Sequence, residues 1–185
     1  VRGGEDKKMK NKFVHYGMVL FIIAAVSAGI LAAVNGFTSQ VIANNAIQLV
    51  TEARKQVLPA AASFQEDEGK EVEGMLFIPG FDEAGANVGY VVSVDQNGYA
   101  GNINFVLGLD MEGKITGINI ISSGETPGLG ARINEAEWQS HWIGEDDSHE
   151  FNKATDAFAG ATISPNAVYT GMMRTIKAYK AEVIK

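Results

Sequence analysis

The 185-residue sequence contains no cysteine, only four prolines and only two tryptophans. Without thiols it cannot hold a thiolate-ligated iron–sulfur cluster, a cysteine zinc site or an internal disulfide. Any redox role therefore needs a borrowed organic group. Positive charge is also scarce: 15 Lys and Arg stand against 22 Asp and Glu, for a net charge of −7. No Lys/Arg cluster lies in the body of the chain, which argues against a nucleic-acid partner. The three histidines, His15, His141 and His149, have no paired helical or strand spacing, so no metal site is predicted. Glu145, Asp146 and Asp147 form an acidic turn without the alternating oxygen ligands of a calcium loop.

Charge is missing altogether from residues 13–51. Residues 13–34 are strongly apolar, and as a helix they would extend about 33 Å at about 1.5 Å per residue, enough to cross a hydrocarbon core of about 30 Å. A cleaved signal peptide has a shorter apolar core. Lys7, Lys8, Lys10 and Lys12 precede the run, which predicts a cytoplasmic N-terminus and an extracytoplasmic body. Tyr16 and Phe37 are placed for the two interfaces. A pilin-like anchor is the structural alternative, but its glycine–aromatic signal precedes the apolar run, whereas Gly36-Phe37 follows it.

Val41, Ile42, Ala46, Leu49, Val50, Ala53 and Val57 keep helical spacing up to Leu58, where Pro59 ends it. Residues 60–71 read as a polar loop. Residues 74–78 are strand-like and end at Pro79-Gly80. Residues 88–94 and 99–109 read as hairpin arms around Asn97-Gly98. Asp110 to Gly113 make a second turn, and residues 114–122 alternate as a third strand. The prediction is an α+β architecture: one N-terminal transmembrane helix, then a domain with a twisted antiparallel sheet and flanking helices. The boundaries are 1–12 for a cytoplasmic start, 13–35 for the membrane helix, 36–58 for a linking helix and 59–185 for the domain. Residues 1–6 read as an irregular start. Trp138 and Trp142, four apart on a short helix, are assigned to core packing.

Two loops carry the chemistry. Glu125-Thr126-Pro127-Gly128-Leu129-Gly130 is rich in glycine, so its backbone can come close to a ligand. Glu125 and Thr126 offer polar groups and Leu129 an apolar contact, a mixture suited to a flat ring with a polar edge. The dinucleotide spacing G-x-G-x-x-G is absent. The second loop runs from Asp156 through Gly160, Ala161 and Thr162 to Ser164-Pro165, where Ser164 reads as a helix N-cap with Pro165 first in the helix. Thr162 then lies two residues before a helix start, where an anion is favoured. These residues alone also fit a plain helix-capping loop.

Together, Gly160-Ala161-Thr162 with Asp156 and Ser164, and Glu125 to Gly130 upstream, resemble the FMN-binding domain family. The similarity extends to the G subunit of Rnf complexes and the C subunit of the sodium-pumping NADH:quinone oxidoreductase. The resemblance implies FMN joined to Thr162 by a phosphoester bond, made from FAD by a separate flavin transferase. It implies cofactor contacts from Gly160, Ala161, Ser164, Asp156, Glu125, Thr126, Gly128, Leu129 and Gly130. It further implies a subunit, not catalytic alone, of a membrane ferredoxin:NAD+ oxidoreductase that moves Na+ or H+. Its partners would be other membrane subunits, including a second flavin-carrying one. Two positions depart from the pattern: Ala159 replaces a hydroxyl residue, and Ser123-Gly124 replaces a histidine-containing pair. The alternatives are a stand-alone anchored flavoprotein or a scaffold without cofactor.

Overall fold

The computed structural model describes residues 3–184. The chain divides into two compact units, Val1–Ile47 and Gln48–Lys185. One helix, α1 (Gly3–Val57), begins in the first and ends in the second. It starts at Gly3, where an irregular start was predicted, and Gly36 does not interrupt it. Val14–Ser39 is long and apolar enough to cross a membrane: its mean hydropathy is 2.5 and none of it is buried. Tyr16 and Phe37 are both exposed. The side chains of Lys7, Lys8, Lys10, Lys12, Val41 and Ala46, and residues 1–2 altogether, lie outside what the structure describes.

The second unit is built on a six-stranded antiparallel sheet of β1 (Ser63–Phe64), β2 (Lys70–Val72), β3 (Met75–Phe81), β4 (Asn87–Asn97), β5 (Asn102–Leu109) and β6 (Ile115–Ser123). The order is β1-β3-β4-β5-β6, with β2 also on β3. The segment predicted as a polar loop thus supplies two short edge strands. The strand predicted to end at Pro79 runs on to Phe81, and the Pro79 carbonyl accepts from Gln65 N at 3.2 Å.

Alternation sorts the side chains of these strands. Phe77, Tyr90, Val92, Phe105, Leu107 and Leu109 face one core, which also holds residues of α2 (Ala136–Ser140) and α3 (Ile163–Ala178). Ile78, Val91 and Val106 face the other, packed against Ala53, Val57 and Leu58. The predicted apolar stripe on α1 is therefore shorter than expected. Ile42 and Leu49 are exposed, and contact begins near Val50.

The end of α1 sits where the sheet has no side chains. Gly108 and Gly117 pair across β5 and β6. A Cβ on Gly108 would lie 2.3 Å from the Val57 carbonyl oxygen, and one on Gly117 would lie 2.8 Å from Val57 Cα. Thr116 Oγ1 donates to that same carbonyl, capping an orphan acceptor of the last helical turn. On the opposite face Trp138 and Trp142 are buried and meet edge to face at 5.6 Å, the core role assigned to them.

Candidate functional site

The two glycine-containing loops meet. A cleft of about 240 Å³ is lined by Tyr99, Glu125, Thr126, Leu129, Gly130, Gly160, Ala161, Thr162, Ile163 and Ser164. Eight of the ten predicted site residues are thereby brought to one place. Gly128 is not part of the lining. It holds a positive φ of 76° inside the first loop, whose fold is set by Leu129 N and Ala131 N donating to the Thr126 carbonyl at 3.1 and 3.2 Å.

The second loop is shaped by Gly160, whose φ of 80° only glycine adopts without strain. Ala161 N donates to the Phe158 carbonyl at 3.0 Å and closes the turn. The next residue, Thr162, is itself the residue preceding α3; its carbonyl accepts from Asn166 N at 3.1 Å and its side chain makes no capping bond. The helix thus starts earlier than predicted, and Ser164 and Pro165 lie in its first turn. Ser164 is not the cap. It is buried, and its Oγ donates to Glu125 Oε2 at 2.7 Å. Thr162 stands half-buried in the cleft, and among the described residues its hydroxyl has no hydrogen-bond partner.

Glu125 is the cleft's one ionisable group apart from the Tyr99 phenol, and it is only 6% exposed. Its Oε1 accepts from Tyr99 N at 2.8 Å and Ala100 N at 3.1 Å, while Oε2 takes Ser164. This carboxylate therefore acts as a strut between the β4–β5 loop and α3. Three of its roughly four acceptor sites are thus taken by the protein itself. Tyr99 and Ile163 join the site without having been predicted. Tyr99 was placed first in a strand, but residues 98–101 form the hairpin loop, with Gly98 N donating to the Gly101 carbonyl at 2.8 Å.

Asp156 lies outside the cleft and is fully buried. Its carboxylate accepts from Asn152 N (2.7 Å), Thr155 Oγ1 (2.8 Å), His141 Nε2 (2.9 Å) and His149 Nε2 (2.9 Å). Trp138 Nε1 donates to its backbone carbonyl at 2.8 Å. The predicted ligand contact is thus a node that anchors the start of the Thr162 loop. Burial alone pushes this carboxyl up, but the four donors outweigh it and hold it at about 2.

Two histidines that looked unrelated in sequence converge on this node. His141, His149 and Asp156 place donor atoms within 4.8 Å of one another, a set with metal-ligand chemistry. In the structure, hydrogen bonds satisfy it. His149 has a carboxylate oxygen on each ring nitrogen, Glu145 Oε2 at 2.8 Å from Nδ1 and Asp156 at 2.9 Å from Nε2. Ionised carboxylates only accept, so this arrangement favours the form of the ring with a proton on both nitrogens. Burial pulls the His149 pKa down, but the Asp156 and Glu145 bonds raise it overall.

The sign for stability follows from linkage. The His149 contribution is complete below about pH 6.5, the ordinary histidine value, and is lost as pH rises through the higher folded value. The Asp156 contribution is complete above its ordinary value and is lost as pH falls towards about 2. Urea midpoints of the full chain are therefore expected to fall from pH 6.5 upward. In His149→Gln that alkaline fall is expected to flatten; an unaltered profile would refute the charge assignment.

Residues 98–177 match the FMN-binding domain family. Over 187 aligned positions the chain is 34% identical to the G subunit of the Na(+)-translocating ferredoxin:NAD(+) oxidoreductase complex of Acetobacterium woodii, spanning 89% of this chain and 90% of that protein. It is 33% identical over 175 positions to the G subunit of the ion-translocating oxidoreductase complex of Methanosarcina acetivorans, spanning 89% and 93%. Among solved structures, Shewanella oneidensis NqrC superposes with a TM-score of 0.49 at 20% identity, over 66% of this chain and 69% of that one. With a third of its residues identical over nearly its full length, the chain belongs to the family of G subunits of ion-translocating oxidoreductase complexes.

Proposed function

We propose that the chain is a membrane-anchored electron-transfer subunit that carries FMN on Thr162 through a phosphoester bond. The observation that carries this reading is the Thr162 hydroxyl, unpartnered among the described residues, in a cleft built from both motifs. The residues fit a phosphorylated flavin. Thr162 opens a 16-residue helix whose first-turn amides lack intrahelical acceptors and whose dipole favours an anion. Gly160 and Ala161 leave the backbone accessible, and the one carboxylate in the cleft is already occupied by three donors.

In this reading Thr162 Oγ forms the ester with the FMN phosphate of FAD, and AMP leaves; a flavin transferase performs the exchange. Bound FMN supplies reversible electron transfer at its ring, and the protein supplies attachment, orientation and local electrostatics. Tethering suits the expected extracytoplasmic side, where a dissociated flavin is lost. The apolar part of α1 crosses the membrane with its N-terminus in the cytoplasm. The remaining Rnf-type subunits, a second flavin-carrying one among them, exchange electrons with this one and couple the flow to Na+ or H+ movement.

The test is mass analysis of the peptide containing Thr162, from full-length protein co-expressed with a flavin transferase. An FMN-phosphate adduct on that residue is expected. An unmodified Thr162 in assembled, active complex would refute the linkage.

A further inference from the structure

The cleft is small for its task and its rim is apolar. At about 240 Å³ it falls below the roughly 300–1,000 Å³ of pockets that enclose a whole ligand. A group tied to Thr162 must extend over the edge. Three large apolar side chains stand at that edge: Tyr99 at 71% exposure, Ile163 at 55% and Leu129 at 46%. Within residues 48–184 only seven large apolar side chains are exposed. Three of the seven meeting at one cleft is a concentration that calls for a cover.

We propose that these three residues form the platform for the isoalloxazine ring, with the Tyr99 phenol as its stacking partner. The proposal rests on the reading of Thr162 given above. A flat, largely apolar ring is the occupant that an exposed aromatic beside two aliphatic groups fits. Tyr99 is also held in place for this role. Its amide and that of Ala100 both bind Glu125 Oε1. The Glu125 carboxylate is wedged between Gly98 and Gly130, where an added Cβ would come within 2.3 and 2.6 Å of its oxygens. The loop is thus fixed to the helix that carries Thr162, through Ser164. Tyr99 touches the ring directly and tunes it. Among the described residues its own hydroxyl has no hydrogen-bond partner, and the phenol is free to lie against a neighbour.

The experiment compares full-length wild type, Tyr99→Leu and Tyr99→Phe, each co-expressed with a flavin transferase. Flavin load is read on denaturing gels, and native fluorescence yield, lifetime and midpoint potential are read on folded protein. A phenol stacked on a flavin quenches its emission. Tyr99→Leu is expected to keep its load while native fluorescence rises several-fold and the potential moves. Tyr99→Phe, which keeps the ring but donates electrons less readily, is expected to fall between the two. Equal load with unchanged fluorescence, lifetime and potential in Tyr99→Leu would overturn the platform and leave the rim as a docking patch for a protein. Should Tyr99→Leu fail to fold, an unchanged lifetime in Tyr99→Phe overturns it equally. A wild type without any flavin defeats the Thr162 reading itself, and that outcome is distinguishable because the load is measured first.

Discussion

Thr162→Ala, co-expressed with a flavin transferase, is expected to lose all covalent flavin while remaining folded. The methyl group of alanine fits wherever the half-buried threonine sits, and the replaced hydroxyl makes no hydrogen bond among the described residues. Nothing in the packing or the helix start therefore depends on it. With no capping bond to lose, the change forfeits at most the burial of one methyl group, about 0.8 kcal/mol, so loss of fluorescence on a denaturing gel reports chemistry and not unfolding. Thr162→Ser keeps a hydroxyl at the same place and is expected to restore a fluorescent band. A Thr162→Ala protein that still fluoresces under denaturation would place the attachment elsewhere.

Asp156→Ala is expected to have the largest effect on stability. The substitution removes one carboxylate that four donors share. It leaves the Asn152 amide without its acceptor and His149 paired on one side only. Breaking a buried charge pair from one side costs about 3–5 kcal/mol, a large share of the roughly 5–15 kcal/mol that holds a domain folded. Urea unfolding of the detergent-solubilised chain measures it. Asp156→Asn keeps one acceptor oxygen and is expected to lose less. Because the node anchors the loop leading to Thr162, flavin load is expected to fall with stability. A loss below about 1 kcal/mol for Asp156→Ala would show that the four bonds contribute little.

The elements that could be read from the sequence are those whose patterns are local. The uncharged run before residue 51 and the valine- and isoleucine-rich strands β4 to β6 carry their own periodicity, and both loops carry their glycines. The misread parts were settled by distant residues. Ser164 has every property of an N-cap, yet its partner is Glu125, 39 residues away. Asp156 stands in the motif, so it was assigned to the ligand; its true partners, His141 and His149, become neighbours only once the chain folds. Tyr99 was lost through one turn. Asn97-Gly98 read as a two-residue hairpin makes Tyr99 a strand residue, whereas the four-residue loop 98–101 puts it on the rim. The strands β1 and β2 were missed because a two- or three-residue edge strand is held by its neighbour's ladder, not by its own composition.

The occupancy of the two motif carboxylates has a consequence for how the threonine is modified. An alcohol must surrender a proton as it becomes an ester, and something has to act as general base. Glu125 has both oxygens engaged, and Asp156 is a weak acceptor that does not reach the cleft. Among the described residues, no side chain lining the cleft stands as an unengaged base beside this alcohol. Under the proposed linkage the modifying enzyme must bring its own base, so a free flavin nucleotide mixed with the protein would leave it bare.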